Sequence, residues 1–134
     1  MNKNSPIAAW RNQKSTYRLE GVSCNACGSL FFPRKYCCSC KSTSFSPFPF
    51  SGNGTLLSFS KVAIPPVEFI NYSPYCIGLV KLEEGPTVLM QIADTVFEEL
   101  FIGMPVVAVF RRYFAAGDDG MIFYGIKFVS AELA

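Results

Sequence analysis

The chain has 134 residues, of which 50% are hydrophobic and 16% charged, with a formal net charge of +2. That length suits one domain, or one domain with a small appendage, and the composition excludes a disordered chain. No apolar run approaches the roughly 18 residues of a membrane span, and the polar first 18 residues lack the apolar core of a signal peptide, so a cytoplasmic location is expected. Histidine is absent. This excludes Ser-His-Asp and Cys-His nucleophile pairs, and every His-ligated metal site, within the chain.

In chain order, residues 5–16 read as a helix, with Ser5 as N-cap and Pro6 at the first helical position. Its apolar face is short and led by Trp10, which makes Trp10 and the adjacent Arg11 candidates for partner contact. Residues 17–23 read as a strand entering a cysteine-rich segment, residues 30–32 as its opposing arm, and Pro33 as a turn. Residues 44–51 alternate Phe with Ser or Pro, and the two prolines restrict them to an edge strand or an extended connector. The Ser51-Gly52-Asn53-Gly54 run marks a boundary. Beyond it, strands are expected at 55–64, 75–82, 87–92, 105–114 and 121–129. A loop at 65–74, a tight turn at 83–86 and a second turn at 117–120 separate them. Residues 94–101 are expected to form a short helix capped by Asp94. Five strands with a short helix between the third and fourth is the order of an OB-fold barrel, whose closure hides sheet edges this hydrophobic. The predicted class is therefore mostly β: residues 1–22 as helix and lead-in strand, 23–51 as a cysteine-rich ribbon, 52–134 as the barrel.

Six cysteines are present, at 24, 27, 37, 38, 40 and 76. Cys24-Asn25-Ala26-Cys27 and Cys37-Cys38-Ser39-Cys40 are two C-x-x-C knuckles, a pattern that sets four thiolates at the corners of a tetrahedron. Gly28, directly after the first knuckle, permits the positive φ such a turn often requires. Four protein ligands close the coordination sphere, so one structural Zn²⁺ held by Cys24, Cys27, Cys37 and Cys40 is expected. Iron shares that ligand set. Disulfides need an oxidising compartment, and a redox C-x-x-C needs a βαβ context that this segment lacks. The spacing leaves Cys38 outside the cluster as a free thiol, and Cys76, in an apolar strand, as a buried and inert one.

Charge is unevenly placed. Residues 1–51 carry seven basic side chains against Glu20 alone, a net of +6, and residues 52–134 carry five basic and nine acidic ones, a net of −4. Zn²⁺ with four thiolates leaves the first module at +4, which suits phosphates, nucleic acid or an acidic protein face. Twenty aromatic residues are too many for a core this small. Exposed apolar area marks interfaces, so a subunit of a larger assembly is expected.

Over nearly its whole length the sequence resembles the acyl-CoA-associated OB-fold proteins that carry an N-terminal rubredoxin-like zinc ribbon. The matching residues are Trp10-Arg11, Tyr17-Arg18-Leu19-Glu20-Gly21, Cys24-Asn25-Ala26-Cys27-Gly28, Phe31-Phe32-Pro33-Arg34 and Cys37 through Cys40. In the barrel they are Gly52-Asn53-Gly54-Thr55, Pro74-Tyr75, Val80-Lys81-Leu82-Glu83-Glu84-Gly85-Pro86 and Ile102-Gly103-Met104-Pro105-Val106. The second knuckle departs from the family's usual Cys-Pro-x-Cys-Gly: it ends Cys40-Lys41. The resemblance implies a non-catalytic partner of thiolase-superfamily enzymes. Such a partner bridges an acetoacetyl-CoA thiolase and a hydroxymethylglutaryl-CoA synthase, or supports an acyltransferase, aldolase or hydratase complex. It also implies that the barrel receives the pantetheine arm of acyl-CoA. Arg34, Lys35, Lys61, Arg111 and Arg112 are the candidates for its phosphates. Single-stranded nucleic-acid binding is the main alternative, since zinc ribbons and OB-folds both serve it, but a barrel of net −4 opposes it. Rubredoxin-like electron transfer is a third reading.

Overall fold

The computed structural model describes residues 5–115 and 117–133. Two helical turns open it, α1 (Pro6–Arg11) and α2 (Gln13–Arg18), broken at Asn12 by a non-helical φ of −96° and ψ of 8°. Ser5 holds the extended N-cap conformation without a side-chain cap, and Pro6 occupies the first turn. The helical segment extends past the expected end at residue 16 and takes up Tyr17 and Arg18. Leu19 then turns the chain with a left-handed φ of 49°, and the strand expected from 17 begins only at Glu20.

Strands β1 (Glu20–Cys24), β2 (Leu30–Phe31) and β3 (Phe45–Pro49) form an antiparallel sheet of order β2-β1-β3. Pro47 and Pro49 place β3 at an edge because neither can donate to a second neighbour. Gly21 of β1 is pressed by the Phe50 ring: a Cβ there would lie 2.3 Å from Phe50 Cε2. Phe32 and Phe48 flank the same ring at centroid distances of 5.2 and 5.7 Å. This aromatic knot joins the ribbon to the barrel core, which also takes in Leu19.

Strands β4 (Asn53–Val62), β5 (Tyr75–Leu82), β6 (Thr87–Ile92), β7 (Pro105–Ala115) and β8 (Ile122–Ser130) close into a barrel of order β4-β5-β6-β8-β7. Closure is made by β7 against β4 and by the parallel pairing of β6 with β8 through Ile92 and Phe128. That is the OB topology. Inward alternation buries Leu56, Val80, Leu82, Val106 and Phe128. Gly78 is small where the barrel is tightest, since a Cβ would meet Leu56 Cδ1 at 2.6 Å. Bulges at Leu56/Ser58 and Arg112/Phe114 bend the two longest strands, as curvature of a small barrel requires.

The helix expected over 94–101 is not formed. Asp94 has a left-handed φ of 58° and so cannot cap, and only a 3₁₀ turn, Phe97–Glu99, is present. Val96 and Phe97 are bulky and poorly suited to an isolated helix, and tertiary contact overrode the capping signal: Phe97 packs edge-on against Phe59 of β4, at 5.4 Å. The 65–74 loop holds a second 3₁₀ turn, Val67–Tyr72, anchored by Phe69 against Tyr75 and Phe114. Among the described residues, no helix is long and apolar enough to cross a membrane.

Candidate metal centre and flanking surfaces

The two knuckles are built alike. In the first, Gly28 N–H donates to Cys24 O (2.9 Å) and Cys24 N–H to Ser29 O (2.9 Å); in the second, Lys41 N–H donates to Cys37 O (3.0 Å) and Cys37 N–H to Ser42 O (2.9 Å). Gly28 and Lys41 both take the left-handed conformation, with φ of 73° and 60°. Each knuckle thus presents one buried thiol, Cys24 or Cys37, and one exposed, Cys27 or Cys40. Asn25 fastens the first knuckle to β3: its Nδ2 donates to Ser44 Oγ (2.8 Å) and its Oδ1 accepts from Ser46 Oγ (2.7 Å).

The four sulfurs lie within 4.8 Å of one another. Cys24 meets Cys40 at 3.5 Å, and Cys27 meets Cys37 at 3.4 Å. A tetrahedral ion with bonds of about 2.3 Å separates its sulfurs by about 3.8 Å, so the donor set fits Zn²⁺ with small adjustment. The thiols are also electrostatically uneven. The Ser29 side chain, then its backbone and Cys37, draw Cys27 down to about 6. The Ser42 backbone favours a Cys40 thiolate, but contact with Cys24, burial and the other two sulfurs push Cys40 up to about 12. Four crowded thiolates repel one another, and a divalent cation offsets that repulsion.

Lys41 holds a conformation that glycine adopts freely and that costs other residues about 1–2 kcal/mol. Its side chain is exposed, so Lys41→Gly removes the strain without removing a contact. This variant is expected to stabilise the ribbon by about 1 kcal/mol, seen as a higher denaturation midpoint of the ribbon sheet.

Cys38 lies outside the cluster and receives a hydrogen bond from Arg34 Nη1 (2.6 Å), with the Arg34 guanidinium 4.2 Å above the Phe31 ring. Cys76 is buried, and burial raises its pKa, which keeps it a neutral thiol. The cationic candidates are dispersed. Arg34 and Lys35 are exposed on the ribbon, where no carboxylate lies between residues 21 and 51. Lys61 is on β4, with Nζ 5.8 Å from the Phe97 ring. Arg111 is held by Asp94 in an ion pair of 3.0 Å. Arg112 lines a groove with Glu68 and Asp118. Trp10 and Arg11 are both exposed on α1, Trp10 at 72%.

Sequence reasoning missed three features. The matching serines Ser29 and Ser42 were legible as a repeated six-residue pattern, Cys-x-x-Cys-x-Ser. The Asp94–Arg111 pair had no local signal. The exposed Val67 and Ile70, at 84% and 62%, lie in the segment read as a loop, and Ile64, at 93%, lies beyond Val62, where β4 ends short of the strand expected to run to residue 64.

Two family models divide the chain between them: the ChsH2 rubredoxin-like zinc ribbon domain matches residues 11–46, and the ChsH2 C-terminal OB-fold domain matches residues 49–111. The molecule is thus a zinc ribbon joined to an OB barrel. A DUF35 domain-containing scaffold protein of Methanocaldococcus jannaschii is 42% identical over 94% of this chain and 91% of its own length. The chain belongs to this DUF35 scaffold family. More distantly, benzoylsuccinyl-CoA thiolase subunit BbsA of Geobacter metallireducens is 33% identical over 58% of this chain and 52% of that subunit. Among solved structures, an Ltp2-ChsH2(DUF35) aldolase chain superposes with a TM-score of 0.71 at 26% identity, covering 98% of this chain and 97% of that one.

Proposed function

We propose that the chain is a non-catalytic subunit that binds the pantetheine arm of acyl-CoA and bridges thiolase-superfamily enzymes. Acetoacetyl-CoA thiolase with hydroxymethylglutaryl-CoA synthase, or an acyltransferase complex, are the assemblies it suits. In this reading Cys24, Cys27, Cys37 and Cys40 hold one structural zinc. Residues 1–22 contact the enzyme subunit through Trp10 and Arg11, residues 23–51 form the ribbon, and residues 52–134 form the barrel that receives the ligand. The observation that carries the proposal is the apolar surface. Trp10, Ile64 and Val67 each expose most of their area, at a cost that association with a partner offsets. The names of the relatives, a scaffold protein and a thiolase subunit, support the same reading.

Of the cationic candidates, Arg34 and Lys35 suit the CoA phosphates best. Arg111 is paired with Asp94, and Arg112 shares its groove with Glu68 and Asp118. Replacing both Arg34 and Lys35 by Ala is expected to weaken acyl-CoA retention by the native complex about tenfold or more, measured by isothermal titration. Unchanged affinity assigns the phosphates elsewhere. Native purification followed by mass spectrometry is expected to recover a thiolase-superfamily subunit, and the isolated chain to turn over no thioester. Turnover that follows the purified monomer contradicts the non-catalytic reading.

A further inference from the structure

A groove lies beside the 3₁₀ turn Phe97–Glu99, where the chain enters β7 and leaves β8. Met104 and Ser130, 6% and 5% exposed, form its floor, Phe101 and Leu133 its walls, and Glu99 and Glu132 its rim; its volume is about 320 Å³. Val96, Phe101, Ile102 and Leu133 each expose more than half of their surface. They do so on a backbone that is tied down. Met104 N–H donates to Phe101 O (3.2 Å), Ala131 N–H to Pro105 O (3.0 Å) and Leu133 N–H to Ser130 O (3.0 Å). The apolar side chains are therefore held out in solvent by fixed turns, a cost that binding offsets and a preorganisation that favours it.

The charge around the groove is of one sign. Residues 95–105 and 128–133 carry Glu98, Glu99 and Glu132 and no Lys or Arg. Lys61 reaches the neighbouring 3₁₀ turn at the Phe97 ring, and Arg111 pairs with Asp94; neither lines the groove. Carboxylates on the rim repel the phosphates of CoA, of nucleic acid and of a lipid surface. They attract a protein segment that sets Lys or Arg beside an apolar anchor.

We propose that this groove is a second docking site, which takes a surface segment of an enzyme subunit in which a large apolar side chain is flanked by Lys or Arg. The apolar side chain enters between Phe101 and Leu133, and the cations meet Glu99 and Glu132. The site rests on the bridging reading of the function, because a subunit that joins two enzymes needs two faces. It supplies the face that α1 does not, and shares no residue with α1 or with the 65–74 loop.

The test compares the native complex of the full chain with those of two double variants, Phe101→Ser with Leu133→Ser and Glu99→Lys with Glu132→Lys, by native mass spectrometry. All four side chains are exposed, so zinc content and circular dichroism are expected to be unchanged. The wild-type complex is expected to hold two enzyme species. Both variants are expected to bind one of them at least about tenfold more weakly and to keep the other. Trp10→Ala is expected to release the species that they keep. Salt raised toward about 1 M is expected to weaken the groove contact, because the rim is screened. Variants that keep both enzymes overturn the proposal and leave the bridging reading standing. A wild-type complex with one enzyme overturns the bridging reading, and amide hydrogen exchange then decides the groove. Slowed exchange over residues 95–105 and 130–133 in that complex upholds the site, and unchanged exchange overturns it. Slowed exchange in the free chain as its concentration rises gives the groove to a second copy, and overturns the proposal too.

Discussion

Cys24→Ser and Cys40→Ser are each expected to yield a chain without bound metal and with an unfolded ribbon, while the barrel keeps its sheet. The reason lies in how little else holds the ribbon. Its strands span five, two and five residues, and the buried side chains of its two knuckles are the cysteines Cys24 and Cys37. Metal binding of about 10–16 kcal/mol is folding energy in modules of this kind, and removing one of four sulfurs forfeits much of it. The two variants probe different positions, Cys24 buried and Cys40 exposed, yet the expected loss is the same because their sulfurs meet at 3.5 Å and share one ion. Elemental analysis reads the metal and amide spectra read the ribbon. Cys38→Ser is the control and is expected to keep one metal per chain, since Cys38 faces Arg34 and not the cluster. Full metal content together with an intact ribbon in Cys24→Ser would falsify the four-sulfur assignment.

Phe128→Ala is expected to destabilise the barrel by about 3–5 kcal/mol, a large share of the roughly 5–15 kcal/mol by which a domain is stable. Phe128 is fully buried at the parallel junction where β6 meets β8, opposite Ile92. Its carbonyl accepts from Ala93 N–H at 2.8 Å. Truncation empties the centre of the core beside that junction, the part of the closed barrel with the fewest paired residues. Thermal melting is expected to fall by roughly 10–20 °C. A shift of only a few degrees means that the surrounding side chains collapse into the space, or that the β6–β8 contact contributes little.

The barrel strands were readable because a closed sheet with one buried face stamps a two-residue period on the chain. The reading placed strands at 75–82 and 87–92, and β5 and β6 have those bounds. Where side chains from distant strands decide, local signals failed. Asp94 three residues before Phe97-Glu98-Glu99-Leu100 looks like a cap, but Phe97 is pulled onto Phe59 across the barrel and Asp94 turns left-handed to face Arg111. At the front, the preference for a strand from residue 17 lost to the packing of Tyr17 on Phe110. The knuckles were legible for a different reason: metal geometry fixes sequence spacing, so two C-x-x-C pairs identify a site before any fold is known. The candidate cations were a weaker reading, because a lone Arg carries no sign of its neighbour. Arg111 and Arg112 are adjacent in sequence, but one is neutralised by Asp94 and the other lines an acidic groove.

The sequence by itself determined the two modules, the succession of the barrel strands along the chain, and which four cysteines come together. Each of these follows from short-range periodicity or spacing, which sterics and coordination geometry enforce within a few residues. Tertiary structure alone decided which thiols are buried, which arginine is free, and that aliphatic residues of the 65–74 loop stand in solvent beside a groove. Those are properties of what lies across from a residue, and the neighbour across a closed barrel is set by the pairing of strands tens of residues apart.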